Sequence, residues 1–147
     1  MRPADPLRDL GRVAQAFERL ERAAFAESGA TETECRILAE LLPARGMSVS
    51  ALAMRVGSDR PWVSQVVERM RQEGLVEREP DPEDRRRVRI RLTALGRRRA
   101  AQLRISLQEQ IARLLSRVPS PTRQQIVEAL GPLADALEAN ERRVRAL

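Results

Sequence analysis

Two adjoining segments decide the fold: Ser48-Val49-Ser50-Ala51-Leu52-Ala53-Met54-Arg55-Val56-Gly57, then Ser58-Asp59-Arg60-Pro61-Trp62-Val63-Ser64-Gln65-Val66-Val67-Glu68-Arg69-Met70. The first reads as a short helix closed by glycine. The second reads as a helix with a capping Asp59 or Ser58 and a proline in its first turn. Gly74 ends it. Two short apolar runs follow, Leu75-Val76 and Val88-x-Ile90-x-Leu92, around a charged loop with Arg85, Arg86 and Arg87. Two helices across a glycine turn, followed by a hairpin with a basic tip, make a DNA-docking layout. The fold class expected is mainly α with a small β-hairpin wing: a winged helix-turn-helix.

The spacing has steric reasons. Two steeply crossing helices need a small residue at their closest approach, and Ala53 suits that place. Gly57, four residues on, can take a positive φ without strain. Val63, Val66, Val67 and Met70 recur at helical spacing and form one inward stripe. Pro61, Gln65, Glu68 and Gln72 then point away from it, with Trp62, Ser64 and Arg69 on its flanks. Ser64 and Gln65 are expected to reach base edges, glutamine favouring adenine. Arg60 and Pro61 open a helix whose free N–H groups and positive dipole end attract a phosphate. Trp62 either packs on the wing or lies along a sugar-phosphate strand. Arg78 and Arg97 are either phosphate contacts or members of internal ion pairs. In the wing, Val88, Ile90 and Leu92 are expected inward, with Arg89 and Arg91 alternating outward. Met47 and Val49 are expected to add a short third strand.

Charge is not spread evenly. All 27 basic residues are arginine, against 21 acidic ones, for a net charge of +6. Residues 1–84 carry a net charge of −4, residues 85–108 a net +9 with no acidic residue, and residues 109–147 a net +1. A solvated face normally interleaves signs; a block of one sign reads as a phosphate-binding surface.

Further motifs narrow the reading. Val63-Ser64-Gln65-x-Val67-x-Arg69-Met70-x-x-x-Gly74-Leu75-Val76-x-Arg78, then Asp81-Pro82-x-Asp84-Arg85-Arg86, then Leu92-Thr93-x-x-Gly96-Arg97, resembles the multiple-antibiotic-resistance regulator (MarR) family. The resemblance runs over nearly the whole chain, and the wing motif is its most specific part. It implies a homodimeric bacterial transcription factor, usually a repressor, often released from DNA by a small molecule or an oxidant. It also implies that an arginine of Asp84-Arg85-Arg86 enters the minor groove, where a narrow groove concentrates negative potential. Asp84 would orient that guanidinium and stiffen the loop. Gln65 stands where the family often has arginine, and Glu83 where it often has a basic residue. Both departures bear on operator sequence rather than on fold.

The rest of the chain reads as helices. Asp5-Pro6 starts one that carries Leu7, Leu10, Ala14, Phe17, Leu20 and Ala24 and ends near Ser28-Gly29. Thr31-x-x-Glu34 is a capping box, opening a helix with Leu38, Leu41 and Leu42 inward. Cys35 falls on the margin of that inward face. Thr93 caps a long helix with Leu95, Leu103, Leu107, Ile111, Leu114 and Leu115 on one side. Ser120-Pro121 repeats the cap-and-proline signal before a last helix, which Gly131-Pro132 should kink. The expected organisation within one structural domain is a dimerisation helix over 1–29, the DNA-binding unit over 30–100, and C-terminal dimerisation helices over 101–147. The first and last helices would entwine with a second copy as a homodimer.

Composition excludes several classes. A lone cysteine forbids an intramolecular disulfide and suits a reducing compartment. No apolar run approaches the roughly 20 residues of a membrane span, and the N-terminus lacks a signal-peptide apolar region. The expected location is cytoplasmic, on the nucleoid when bound to DNA, with no membrane partner. Histidine and tyrosine are absent, and no phosphate loop, Gly-x-Ser-x-Gly or Cys/His metal set occurs. No enzyme, cofactor or metal is therefore expected. The function expected is a sequence-specific regulator on a palindromic operator, released by a small hydrophobic or phenolic effector. Two alternatives stand beside it: a winged-helix module for protein contact or architectural DNA binding, and a repressor that senses oxidants through Cys35.

Overall fold

Side-chain caps decide where most of the helices begin. In a computed structural model, which describes residues 4–146, the order is α1 (Pro6–Ser28), α2 (Glu32–Leu41), α3 (Val49–Val56), α4 (Arg60–Gln72), β1 (Val76–Pro80), β2 (Val88–Leu92), α5 (Ala94–Leu115) and α6 (Thr122–Arg145). Asp5, Thr31, Ser48 and Asp59 each accept a backbone N–H from the first turn of the helix that follows. At Thr31 the box is reciprocal, because Glu34 Oε2 also accepts the Thr31 N–H at 2.9 Å. Such a cap is worth about 1 kcal/mol. The signal at Ser120-Pro121 fails. Pro121 takes the cap position of α6, and no side chain bonds there. Pro132 lies inside α6, which continues through it as one helix.

The chain forms two units, one through Gln108 and one from Glu109, with α5 crossing the division. The first unit holds the core. Ile37, Leu38 and Leu41 of α2 meet Leu52, Ala53 and Val56 of α3 and Val63, Val66, Val67 and Met70 of α4. The wing closes this cluster with Leu75, Val76, Ile90 and Leu92, and α5 adds Ala100. Each large aliphatic side chain so buried contributes about 1.5–3 kcal/mol before the entropy of ordering is subtracted. Gly57 turns α3 into α4 at φ 69°, the left-handed conformation that a Cβ would strain. A smaller cluster joins Phe25 of α1, Cys35 of α2 and Leu103 of α5. Cys35 is wholly buried, not marginal as the helical spacing suggested, because α1 and α5 both cover it.

The hairpin is antiparallel, with Val76 opposite Leu92 and Pro80 opposite Val88. Ile90 and Leu92 face the core, but Val88 does not: it is 53% exposed. Two residues nearer the tip, it has passed the edge of the helical layer. The expected third strand shrinks to one bridge, in which Met47 and Ile90 exchange N–H···O bonds of 2.9 and 2.6 Å. Ser48 then caps α3, so the chain turns helical before Val49 could pair.

The start of α5 is tied to the root of the wing. The Thr93 N–H donates to the Leu75 carbonyl at 3.1 Å, and Thr93 Oγ1 donates to the Gly74 carbonyl at 2.5 Å. One turn on, Gly96 lies so near that a Cβ there would be 1.9 Å from the Leu75 oxygen. Helix propensity alone makes Gly→Ala favourable by about 1 kcal/mol. Here overpacking against backbone outweighs it. Gly96→Ala is expected to destabilise the chain by about 1–3 kcal/mol, read as a lower denaturation midpoint. A stabilised variant would contradict this junction.

Candidate nucleic-acid interface

Recognition-helix residues come first. Asp59 Oδ1 accepts the Trp62 N–H at 2.9 Å and fixes the start of α4. Val63, Val66, Val67 and Met70 are buried, which leaves Arg60, Pro61, Trp62, Gln65 and Arg69 exposed and Ser64 half-buried. Beside them opens a cleft of about 570 Å³ between the starts of α3 and α4 and the wing. Ser48, Ser50, Arg60, Ser64, Arg78 and Arg87 line it. Hydroxyls and guanidinium groups converging there suit a phosphate.

The wing tip is held by two aspartates. Asp81 Oδ1 accepts the N–H groups of Glu83 at 2.8 Å and Asp84 at 3.4 Å. Asp84 Oδ1 accepts the Arg86 N–H at 3.1 Å, and its Oδ2 lies 3.6 Å from Arg87 Nε. Asp84 thus orders the loop through backbone bonds and pairs with Arg87. The part played by Asp81 was missed, although Asp81-Pro82 is a known turn opening. Arg85 and Arg86 are exposed and have no carboxylate partner among the described residues.

The basic block is smaller on the surface than in the sequence. Arg89 pairs with Glu79. Arg91 pairs with Glu77 at 2.5 Å and Glu79 at 3.1 Å. These are cross-strand neighbours on one face, so the wing stem is largely self-neutralised. The hydrogen bond with Glu77 raises the Arg91 pKa, with further contributions from the charges of Glu77 and Glu79. Arg78 resolves toward an ion pair, 3.4 Å from Glu68. A hydrogen bond from Arg71 is the main reason the Glu68 pKa is lowered. Arg97 is exposed on α5 with no ion pair among the described residues.

Arg69 and Trp62 are engaged with α2. Arg69 lies 2.8 Å from Glu34, and Trp62 Nε1 donates to Thr33 Oγ1 at 3.3 Å. Trp62 therefore contacts α2 rather than the wing, and it remains 44% exposed. Sequence spacing pointed to neither link, since the partners lie 35 and 29 positions apart.

A second cavity, about 460 Å³, lies among α1, α2 and α5. Ala24, Ser28, Cys35, Leu38 and Leu103 line it, with Glu27 and Arg99 also present. The Cys35 sulfur is 3.4 Å from Ser28 Oγ. Burial pushes the thiol pKa up more than the Ser28 hydrogen bond lowers it. A thiol so placed lacks the thiolate character of a reactive cysteine. Among the described residues no cluster of side chains suits a metal ion, and no helix is long and apolar enough to cross a membrane.

Residues 30–88 match the model of the MarR family. Over this winged-helix segment the chain is similar to the MarR family. Its members are DNA-binding transcriptional regulators and not enzymes. The chain is similar to the MarR family transcriptional regulator SPO1453 of Silicibacter pomeroyi DSS-3, at 29% identity over 90% of this chain and 94% of that one, with a TM-score of 0.71. It is also similar to the MarR family protein Rv2887 of Mycobacterium tuberculosis, at 26% identity, 91% and 99% coverage and a TM-score of 0.66. NadR, solved in complex with 4-hydroxyphenylacetate, shares the fold at 22% identity, 91% and 95% coverage and a TM-score of 0.69. No curated protein sequence matches the chain.

Two predictions follow from this geometry. Arg86→Ala should flatten the salt dependence of DNA binding by about one unit of log–log slope per lost phosphate contact. Arg91→Ala, whose guanidinium is already engaged, should leave the slope unchanged; equal slopes in both variants would contradict the division. Cys35 in the folded protein should resist iodoacetamide at neutral pH and react once the chain is unfolded, as followed by mass; rapid labelling of the folded form would restore the oxidant-sensing alternative.

Proposed function

We propose that this chain is a MarR-family regulator, a sequence-specific repressor that binds a palindromic operator as a homodimer. The observation that carries the reading is the joint exposure of Gln65, beside half-buried Ser64 on α4, and of Arg85 and Arg86, which have no carboxylate partner among the described residues, on a stiffened wing tip. Ser64 and Gln65 supply base-edge donors and acceptors. Arg60 and the cleft beside it supply phosphate contacts, with Pro61 at the helix start. Arg78 and Arg87 line that cleft while paired with Glu68 and Asp84, and Arg97 adds a cation at the start of α5. Arg69 and Trp62 act from the flank of the helix.

Dimerisation over 1–29 and 101–147, around a DNA-binding unit at 30–100, is supported by uncovered apolar rows. On α1, Leu7, Val13 and Phe17 are exposed; on α6, Ile126, Val127, Leu130, Leu133 and Leu137 are exposed. Rows of this kind on a single chain mark a protein interface. A two-fold pair would present two recognition helices at half-sites about 34–36 Å apart.

The cavity among α1, α2 and α5 is the place for an effector. Its aliphatic wall suits an aromatic ring, and Arg99 offers a cation to a carboxylate. A phenolic or otherwise hydrophobic compound fits this lining. The architectural alternative predicts no sequence preference. The test is selection of duplexes from a random pool, followed by sedimentation of the free protein. An enriched palindrome and a dimer at micromolar concentration are expected. A monomer, or a pool that enriches nothing, would overturn the reading.

A further inference from the structure

Glu34 is the one buried charged residue among those described, 7% exposed, and its carboxylate serves two helices. Oε2 accepts the Thr31 N–H at 2.9 Å and completes the cap of α2. Oε1 accepts from Arg69 Nε at 2.9 Å and lies 2.8 Å from Arg69 Nη2, on α4. One residue away, Thr33 Oγ1 accepts from Trp62 Nε1 at 3.3 Å, near the other end of α4. The first turn of α2 therefore grips α4 at two places seven residues apart. Seven residues is about two helical turns, so both grips fall on one side of α4.

An ion pair with one buried partner is weak support for stability, because desolvation of the carboxylate offsets the attraction; a better-attested use of such pairs is to select one arrangement. Arg69 also departs from what its position suggests. It sits on the flank of the proposed DNA-reading face, yet a carboxylate neutralises it. A carboxylate partner offsets the charge that a phosphate contact would use. A residue kept to set the rotation of α4 needs such a partner.

We propose that Glu34 is a positioning residue for the recognition helix, acting through Arg69 with Thr33–Trp62 as the second grip, and that this grip determines sequence specificity. The inference rests on the DNA-binding reading above. Electrostatics and positioning make opposite predictions here. Glu34→Gln removes a negative charge beside the DNA face and retains a side-chain oxygen for the Thr31 cap. Charge alone would strengthen binding to every duplex. Loss of the grip weakens only binding that depends on the angle of α4.

The experiment compares the duplex enriched by the wild-type protein with a random duplex of equal length. Glu34→Gln is expected to lower the ratio of their affinities about tenfold, the size of one mismatched base pair, while random-duplex affinity rises. Arg69→Gln keeps the Glu34 cap and covers the case in which Glu34→Gln does not fold. It should lower the ratio similarly with an unchanged random-duplex salt slope. A slope shallower by about one unit would make Arg69 a phosphate contact instead. The double variant should lose no more than either single one, as partners in one interaction do. An unchanged ratio in folded Glu34→Gln, or additive losses, would overturn the proposal while leaving the DNA reading intact. A wild-type protein that enriches no duplex would overturn both.

Discussion

The geometry of the winged unit depends on one short junction between backbone segments. Thr93 bonds the carbonyls of Gly74 and Leu75, and Gly96 lets α5 come down on the Leu75 oxygen. The residues that end α4 and begin β1 are thereby locked to those that end β2 and begin α5. Both ends of the hairpin leave from one place, so rotating the wing against α4 would break these bonds. Ile90, through its pair of backbone hydrogen bonds with Met47, fastens the same hairpin to the chain just before α3. Two surfaces far apart in sequence, the α4 face and the wing tip, thus hold a fixed relation.

Local chemistry made much of this visible in the sequence. Caps at Asp5, Thr31, Asp59 and Thr93 work over three or four residues, so the letters alone reveal them; the Ser48 cap went unread because a strand was expected at Met47 and Val49. The stripe Val63, Val66, Val67 and Met70 is legible for the same reason. The Leu92-Thr93-x-x-Gly96 motif was legible as a resemblance, and the Leu75 contact supplies its physical cause. What escaped the sequence depends on distant partners. Burial of Cys35 needs α1 and α5, and the exposure of Val88 depends on where the helical layer ends. At Ser120-Pro121 a local signal was present but proline itself took the cap position, so no side-chain oxygen was there to accept.

The candidate site was less legible than the fold. Residue types picked out the arginines, but not which of them have partners. In sequence, residues 85–108 look like one cationic block. In space, Glu77 and Glu79 lie across the strand from Arg89 and Arg91 and cancel the stem. The tip retains its charge because Asp84 directs its bonds mainly to backbone and to Arg87, leaving Arg85 and Arg86 unpaired. Charge is therefore concentrated at the end of the hairpin rather than along it.

A chain whose cations are all guanidinium, with neither imidazole nor amine side chains, has an unusual acid–base character. Arginine stays protonated far above neutrality. The one thiol is pushed toward still higher pH by its burial. The exposed face of α4 and the wing carry no imidazole, the side chain whose ordinary charge change falls in the physiological range. Lysine-directed acylation likewise has no side chain there to modify.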